Sequence, residues 1–414
     1  MTVIRFWIAV ALVAPCASVA QDTESSEDDA AREFGGPTSV AGQLQEDADA
    51  QGRLGALNQH SDSLRNWRDT FESDTGLKLG WDLNTLAQFA DSSLTGEDTA
   101  WGGIARIYGR WAVVNRDEPG TGFLSFKVEY RSALGGFVDP QSFYKELGYL
   151  GLTDIIYSDR KAILTDFNYQ KRLGRNDRAA VVVGRFDPNA FQDVLAYSNP
   201  YTGFTNANIV SNFSVALPDY SWGVAAGTWL GETNQWYISG NINDANGNPG
   251  NVEFFEDGAE FYKSIEVGWS PKRARRYHST AHVMFWHVDA RETKGIPSGK
   301  GVAMSAAHTF SDDTWMVFGR YGQSDGRAPF FNQSVTLGFA HMFEPTTDRL
   351  AFALQWGEPS DNSLRNQLTT ELLYRFQLAD SLQMTSSIQY IKDPANNPVE
   401  DSLVVWSIRI RYAL

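Results

Sequence analysis

From Gly76 to the end of the chain, apolar and polar residues alternate with a period of two, broken at intervals by turn residues. Such a pattern describes β-strands with two unlike faces and no helix. The final segment states it best. Val404, Trp406, Ile408, Ile410, Tyr412 and Leu414 fall on one face, and Val405, Ser407, Arg409, Arg411 and Ala413 on the other. Residues 366–378 repeat it, with Leu368, Leu372, Tyr374, Phe376 and Leu378 opposed to Glu371, Arg375 and Gln377. Sixteen such segments are predicted, at 76–91, 101–114, 122–133, 163–172, 178–187, 221–230, 234–243, 259–270, 277–289, 300–310, 314–323, 332–343, 349–357, 366–378, 382–392 and 401–414. Most reach the roughly 9–11 residues that a tilted strand needs to cross a bilayer.

Alternation alone would also suit a soluble sandwich, whose apolar face is its core. The connections separate the two cases, because a transmembrane barrel has short turns at one end and long loops at the other. Even-to-odd connections are short: 115–121, 173–177, 231–233, 271–276, 311–313, 344–348 and 379–381. Odd-to-even connections are mostly longer, including 134–162, 188–220, 244–258, 290–299, 324–331, 358–365 and 393–400. The expected fold is therefore all-β, a transmembrane antiparallel β-barrel of about 16 strands with short periplasmic turns and long outer loops. An even strand count places both termini on the short-turn side.

The first residues fit this route. Arg5, an apolar run from Trp7 to Val13 and the small residues Ser18 and Ala20 form a secretory signal over 1–20, cleaved after Ala20. Pro15 disfavours reading Cys16 as a lipoprotein cysteine. Cys16 is the one cysteine of the chain, so the mature protein is expected to carry no disulfide. After the signal, no apolar stretch approaches the roughly 18 residues of a membrane helix. Residues 21–72 are expected to be an acidic periplasmic leader. From Gln21 to Ser63 it carries ten acids against Arg32 and Arg53, lacks Tyr and Trp, and has the composition of a disordered or loosely helical segment. Leu54, Leu57, Leu64, Trp67 and Phe71 stand at helical spacing, which predicts a helix over 53–72 that packs on the barrel or else acts as a plug or oligomerising element. Residues 73–414 are the barrel. The net charge of −15 argues against a nucleic-acid partner.

Three passages resemble the carbohydrate-selective porins of Gram-negative outer membranes. They are Leu64-Arg65-Asn66-Trp67 leading into Gly76 to Asp82; Val183-Gly184-Arg185-Phe186-Asp187-Pro188-Asn189-Ala190-Phe191 with Phe204-Thr205-Asn206; and Ile388-Gln389-Tyr390-Ile391-Lys392-Asp393-Pro394-Ala395-Asn396-Asn397-Pro398. The resemblance spans about Leu64 to Leu414 and implies passive diffusion of sugars through a lumen narrowed by a loop. Leu414 departs from the aromatic residue that usually ends such barrels, which bears on the assembly signal.

A pore of this kind needs hydroxyl-binding groups and aromatic faces at a constriction, with no catalytic pair and no cofactor. Parity points inward Arg106 and Arg110, then Lys127, Glu129 and Arg131, Arg185 and Asp187, Arg320, Glu371 and Arg375, and Arg409 and Arg411. Nine are basic and three acidic, which predicts a basic wall, partly offset by Asp82 and restored by Lys78. Loop 188–220, with Phe191, Tyr197, Tyr201, Phe204, Asn206, Asn208 and Asn212, is the expected constriction; loop 134–162 is a second candidate. His278 and His282 are read onto one strand face, too far apart for one zinc ion, and the acidic pairs Glu97-Asp98 and Asp312-Asp313 as solvated turns. Expected partners are carbohydrate solutes, outer-membrane lipid and the barrel assembly machinery, with homo-oligomers possible on this reading. The alternatives are a general or anion-preferring porin, a barrel enzyme with a Ser/His pair, and a soluble lectin.

Overall fold

The computed structural model describes residues 34–414 apart from Asp117, Glu232, Glu256, Asp257 and Asp312. The signal reading, the first part of the leader and one half of the Asp312-Asp313 pair lie outside the described residues. Sixteen strands close into one antiparallel barrel, each paired with its neighbours in sequence and β1 with β16. They are β1 Leu77–Ala90, β2 Thr99–Val114, β3 Gly122–Ala133, β4 Lys161–Leu173, β5 Ala179–Phe186, β6 Ser221–Leu230, β7 Trp236–Asp244 and β8 Phe261–Trp269. The second half comprises β9 Thr280–Val288, β10 Gly299–Phe310, β11 Trp315–Asp325, β12 Phe331–Phe343, β13 Asp348–Pro359, β14 Gln367–Ala379, β15 Leu382–Lys392 and β16 Ser402–Ala413. Every predicted segment becomes a strand; 122–133, 221–230 and 382–392 match at both ends, and no end is shifted by more than three residues.

Closure removes the sheet edge, so the strand amides and carbonyls find partners without water. The seam runs from Asp82 opposite Ala413 to Ala90 opposite Val405. It is sealed at the very end of the chain, where the Trp81 amide donates to the Leu414 carbonyl and the Leu414 amide returns the bond to Trp81, both at 2.9 Å. Alternation then sorts side chains by face. On β16, Trp406, Ile408 and Ile410 point outward and are exposed, while Ser407, Arg409 and Arg411 are buried inside.

Among the described residues, two α-helices precede the barrel, α1 Val40–Ala48 and α2 Gln59–Thr75. The predicted helix over 53–72 thus starts later and ends later. Gly76, at φ 75°, terminates it in the left-handed conformation that glycine adopts without strain. The helix meets β1 and the short-turn rim through its other side, and Leu54, Leu57, Leu64 and Trp67 stay exposed. Helix α1 has no counterpart in the sequence reading. Ser39 caps it by accepting from the Gly42 amide at 3.1 Å, and its Val40 and Leu44 pack on the inward Tyr108. The chain therefore enters the lumen before it builds the wall.

Between the helices the chain leaves the lumen over the short-turn rim. Thr347 donates to the Gln51 carbonyl at 3.0 Å, and the Arg53 and Leu54 amides donate to the Gln377 and Leu378 carbonyls at 2.9 and 2.8 Å. At Gly52 the backbone passes so close to Ala379 that an added Cβ would lie 2.3 Å from it. Asp380 fastens the crossing by accepting from the Gly52 amide at 2.9 Å and from Arg65 at 3.0 Å. Burial pushes its carboxyl up, and those donors more than reverse it, holding it below the usual carboxylate range.

If the outward face meets hydrocarbon, Ile408→Arg should destabilise the protein by roughly 2–4 kcal/mol near mid-bilayer. Gln383→Arg, which points into the lumen's open space, should cost much less. Denaturant unfolding in lipid vesicles, followed by tryptophan fluorescence, compares the two.

Candidate functional site: the barrel lumen

The inner wall divides into an apolar and a charged sector. Along β10 to β14, Ala307, Met316, Phe318, Ala340, Ala351, Ala353 and Leu373 face inward and receive Leu195, Tyr197, Phe204, Ile209 and Val210 from the β5–β6 loop. Small wall residues leave the room that large loop residues fill, so the loop packs as a core rather than covering the mouth. Phe191, Tyr197, Tyr201, Phe204 and Asn206 are all buried within the barrel. Phe191 closes on Phe186 and on Phe34 of the N-terminal segment. The β3–β4 loop also enters: Phe143, Leu147 and Tyr149 pack on Ala100, Ile391, Leu403 and Val405, whereas Phe137 remains exposed.

The charged sector spans β14, β16, β1, β2 and β3, and it is alternately charged rather than uniformly basic. Asp82 accepts from Arg106 Nε at 2.7 Å and from Arg411 Nε at 2.8 Å. Arg106 donates onward to Gln43 Oε1 at 2.7 Å, and its guanidinium lies 3.3 Å from the centre of the Tyr201 ring. Tyr201 Oη donates to Glu129 at 2.7 Å, and Glu129 accepts in turn from Arg131 at 2.8 Å. Arg411 also reaches Asp47 of α1 at 2.6 Å, and Tyr108 Oη donates to the same carboxylate. Glu46 of α1 accepts from Arg375 at 2.9 Å, from Asn199 at 2.8 Å and from Thr202 at 2.9 Å. The acidic leader thus supplies the counter-charges that the barrel's own strands lack.

The other predicted inward residues hold the loops. Glu371 accepts from the Thr205 and Asn206 amides, each at 3.0 Å. Arg409 donates to the Pro200 and Gly203 carbonyls at 2.7 and 2.8 Å. Arg320 reaches the Val210 and Asp193 carbonyls at 2.8 and 2.6 Å. Arg185 reaches those of Leu164 and Asn248, each at 2.6 Å. Lys127 pairs with Asp166 at 2.7 Å. Asp187 caps the turn after β5 by accepting from the Asn189 amide at 2.9 Å. Arg110 stands apart from this set, its guanidinium 3.6 Å from the Phe123 ring centre. The lumen therefore brings all twelve predicted residues to the inner side, most of them anchored to loop or leader.

Sequence reasoning missed Gln43, Glu46 and Asp47, together with Asp193, which accepts from Ser305 at 2.6 Å and lies 3.1 Å from His282 Nε2. The available signal was an inward surplus of arginine beside an acidic leader. His278 lies in the turn before β9, so it shares no strand face with His282.

Below the constriction, toward the short turns, a vestibule of about 1220 Å³ opens. Lys78, Arg110, Phe123, Tyr197, Arg349 and Gln383 are among its lining residues. The Arg349 guanidinium lies 4.2 Å from the Tyr197 ring centre, so polar donors and a π-face meet at the vestibule's inner wall.

Glu46→Ala should free α1 from Arg375 and Arg349 and leave those cations without their counter-charge. Single-channel conductance should rise and the reversal potential in a salt gradient should shift toward anion preference. Unchanged values for both would contradict the constricting role of α1.

Residues 277–413 match the family model described as carbohydrate-selective porin, OprB family. No curated protein matches the chain by sequence. Among solved structures, the fold resembles Pseudomonas putida OprB at a TM-score of 0.68 and 13% identity, covering 88% of this chain and 99% of that one. It also resembles an Rh. blastica porin variant at a TM-score of 0.51 and 14% identity, covering 82% of this chain and all of that one. The chain thus has the sixteen-stranded porin fold, and its last third matches the model of the carbohydrate-selective porin, OprB family.

Proposed function

We propose that the protein is an outer-membrane porin for passive, carbohydrate-selective diffusion, with its constriction formed jointly by the β5–β6 loop and α1. The observation that carries this reading is the lumen itself: a closed barrel whose interior holds a fixed array of guanidinium, carboxylate and amide groups beside buried tyrosines. Sugars present many hydroxyls that donate and accept, plus apolar ring faces, so a track of alternating donors, acceptors and aromatic faces replaces their hydration shell stepwise. Paired charges serve this better than bare ones, because a paired guanidinium still offers hydrogen bonds without a strong net field. The residues proposed to meet solute are Arg110, Arg349 and Tyr197 at the vestibule and Arg106, Glu129, Arg131 and Tyr201 at the constriction.

The same reading makes 1–20 a secretory signal, puts the short turns in the periplasm and the long loops outside a Gram-negative cell, and brings the chain to the barrel assembly machinery and outer-membrane lipid. The barrel is a passive path in this account, with no enzymatic step.

Proteoliposome swelling tests it. Neutral hexoses and short oligosaccharides should enter faster than amino acids of equal or smaller mass. Rates that follow size alone would favour a general porin, and the absence of swelling with correctly folded protein would refute the pore.

A further inference from the structure

Helix α2 has two unlike faces that the pore does not explain. On one side Asp69, Glu72 and Ser73 line the vestibule. At 100° per residue, Leu64, Trp67 and Phe71 fall on the opposite side, with Leu57 just before the helix in the same row. Leu57, Leu64 and Trp67 are 41%, 38% and 55% exposed, and Trp67 stacks on Phe71 with ring centres 5.4 Å apart. The polar face therefore looks toward the pore mouth and the apolar face away from it.

Both ends of this segment are pinned to outward-facing aromatic residues of the barrel. At its start, Arg53 donates to Tyr374 Oη at 3.0 Å and lies 5.9 Å from the Phe376 ring centre. Both belong to the outward face of β14, which is continuous through Phe343, His341 and Trp315 with the aromatic row on β11 and β12. At its end, the exposed Trp111 of β2 donates its indole N–H to the Thr75 carbonyl at 3.1 Å. Residues 53–75 thus run along the short-turn rim from β14 to β2, past the ends of β15, β16 and β1. A helix of this length spans about 25 Å, enough for that arc.

We infer that α2 is an interfacial helix whose apolar stripe, Leu57, Leu64, Trp67 and Phe71, lies in the lipid headgroup layer beside the short-turn rim. It continues the barrel's aromatic girdle across the strands of the seam. The occupant is lipid rather than a second copy of the chain, since the stripe covers about two heptads and a coiled coil needs three or four. An amphipathic helix of this kind buries its apolar face about 5–10 Å into the boundary region. It also keeps the α2 end of the N-terminal segment at the membrane while α1 sits in the lumen. The inference rests on the membrane reading of the barrel.

Single-cysteine variants Trp67→Cys, Asp69→Cys and Ile408→Cys, made in a Cys16→Ser background, would be labelled with a polarity-sensitive fluorophore. Each would be reconstituted as the full chain in phosphatidylethanolamine/phosphatidylglycerol vesicles, with and without lipids spin-labelled at shallow depth. The label at 67 should show blue-shifted emission and quenching by the shallow spin label, with the label at 69 unquenched and solvent-like. Equal, solvent-like signals at 67 and 69 beside a membrane-embedded signal at 408 would overturn the helix placement and leave the barrel reading intact. Solvent-like signals at all three would overturn the membrane reading itself. Protection at 67 that vanishes on dilution of protein in lipid would assign the stripe to a second copy and overturn the lipid assignment.

Discussion

The structure depends on a requirement of backbone chemistry: a sheet edge leaves a row of amides and carbonyls without partners, and on the proposed membrane reading no water is there to take them, so the sheet closes on itself. The closure joins β1 to β16, more than 300 residues apart in sequence. Once the seam forms, Asp82 of β1 stands between Arg106 of β2 and Arg411 of β16 and accepts from both. Asp82 and Arg106 already face each other across the β1–β2 pair, and barrel closure adds Arg411 as the third member of this charge cluster.

Closure creates an inside, and the inside is then filled by three pieces of chain with separate seats. The β5–β6 loop rests on the small apolar wall of β10 to β14, the β3–β4 loop on β2, β15 and β16, and the N-terminal segment on β2 and β5. Apolar packing gives each piece its position, and arginine donors to loop carbonyls fix its orientation. On the proposed pore reading, a constriction held by packed side chains and charge-assisted hydrogen bonds keeps its shape while solutes pass, and the tyrosine and guanidinium planes at its lower edge are the groups offered to sugar rings.

The strands were legible because period two and connection parity survive in almost every segment. The lumen was legible only in part. Parity assigned Arg375 and Arg411 to the inside, but they pair with Glu46 and Asp47, which lie in a short Gly-, Gln- and Ala-rich stretch with weak intrinsic order. Helix α1 exists because the lumen offers its carboxylates arginines and its Val40 and Leu44 a tyrosine face, a tertiary effect without local signature. The apolar loop seat was hidden for another reason: at Leu350, Ala351, Phe352 and Ala353 both faces are apolar, so alternation is blurred where the wall is most specialised. The exposed stripe of α2 was visible as helical spacing, but spacing alone does not say which surface it meets.

The central claim is that the loop and α1 enclose a path whose groups bind sugar as it passes. Ion current through single channels of the full-length protein in planar bilayers, titrated with glucose, maltose-type oligomers and an acidic sugar, tests it most directly. Saturable block of a stable open current, at concentrations that differ among the sugars, is the predicted result. Stable channels indifferent to every sugar would contradict the claim.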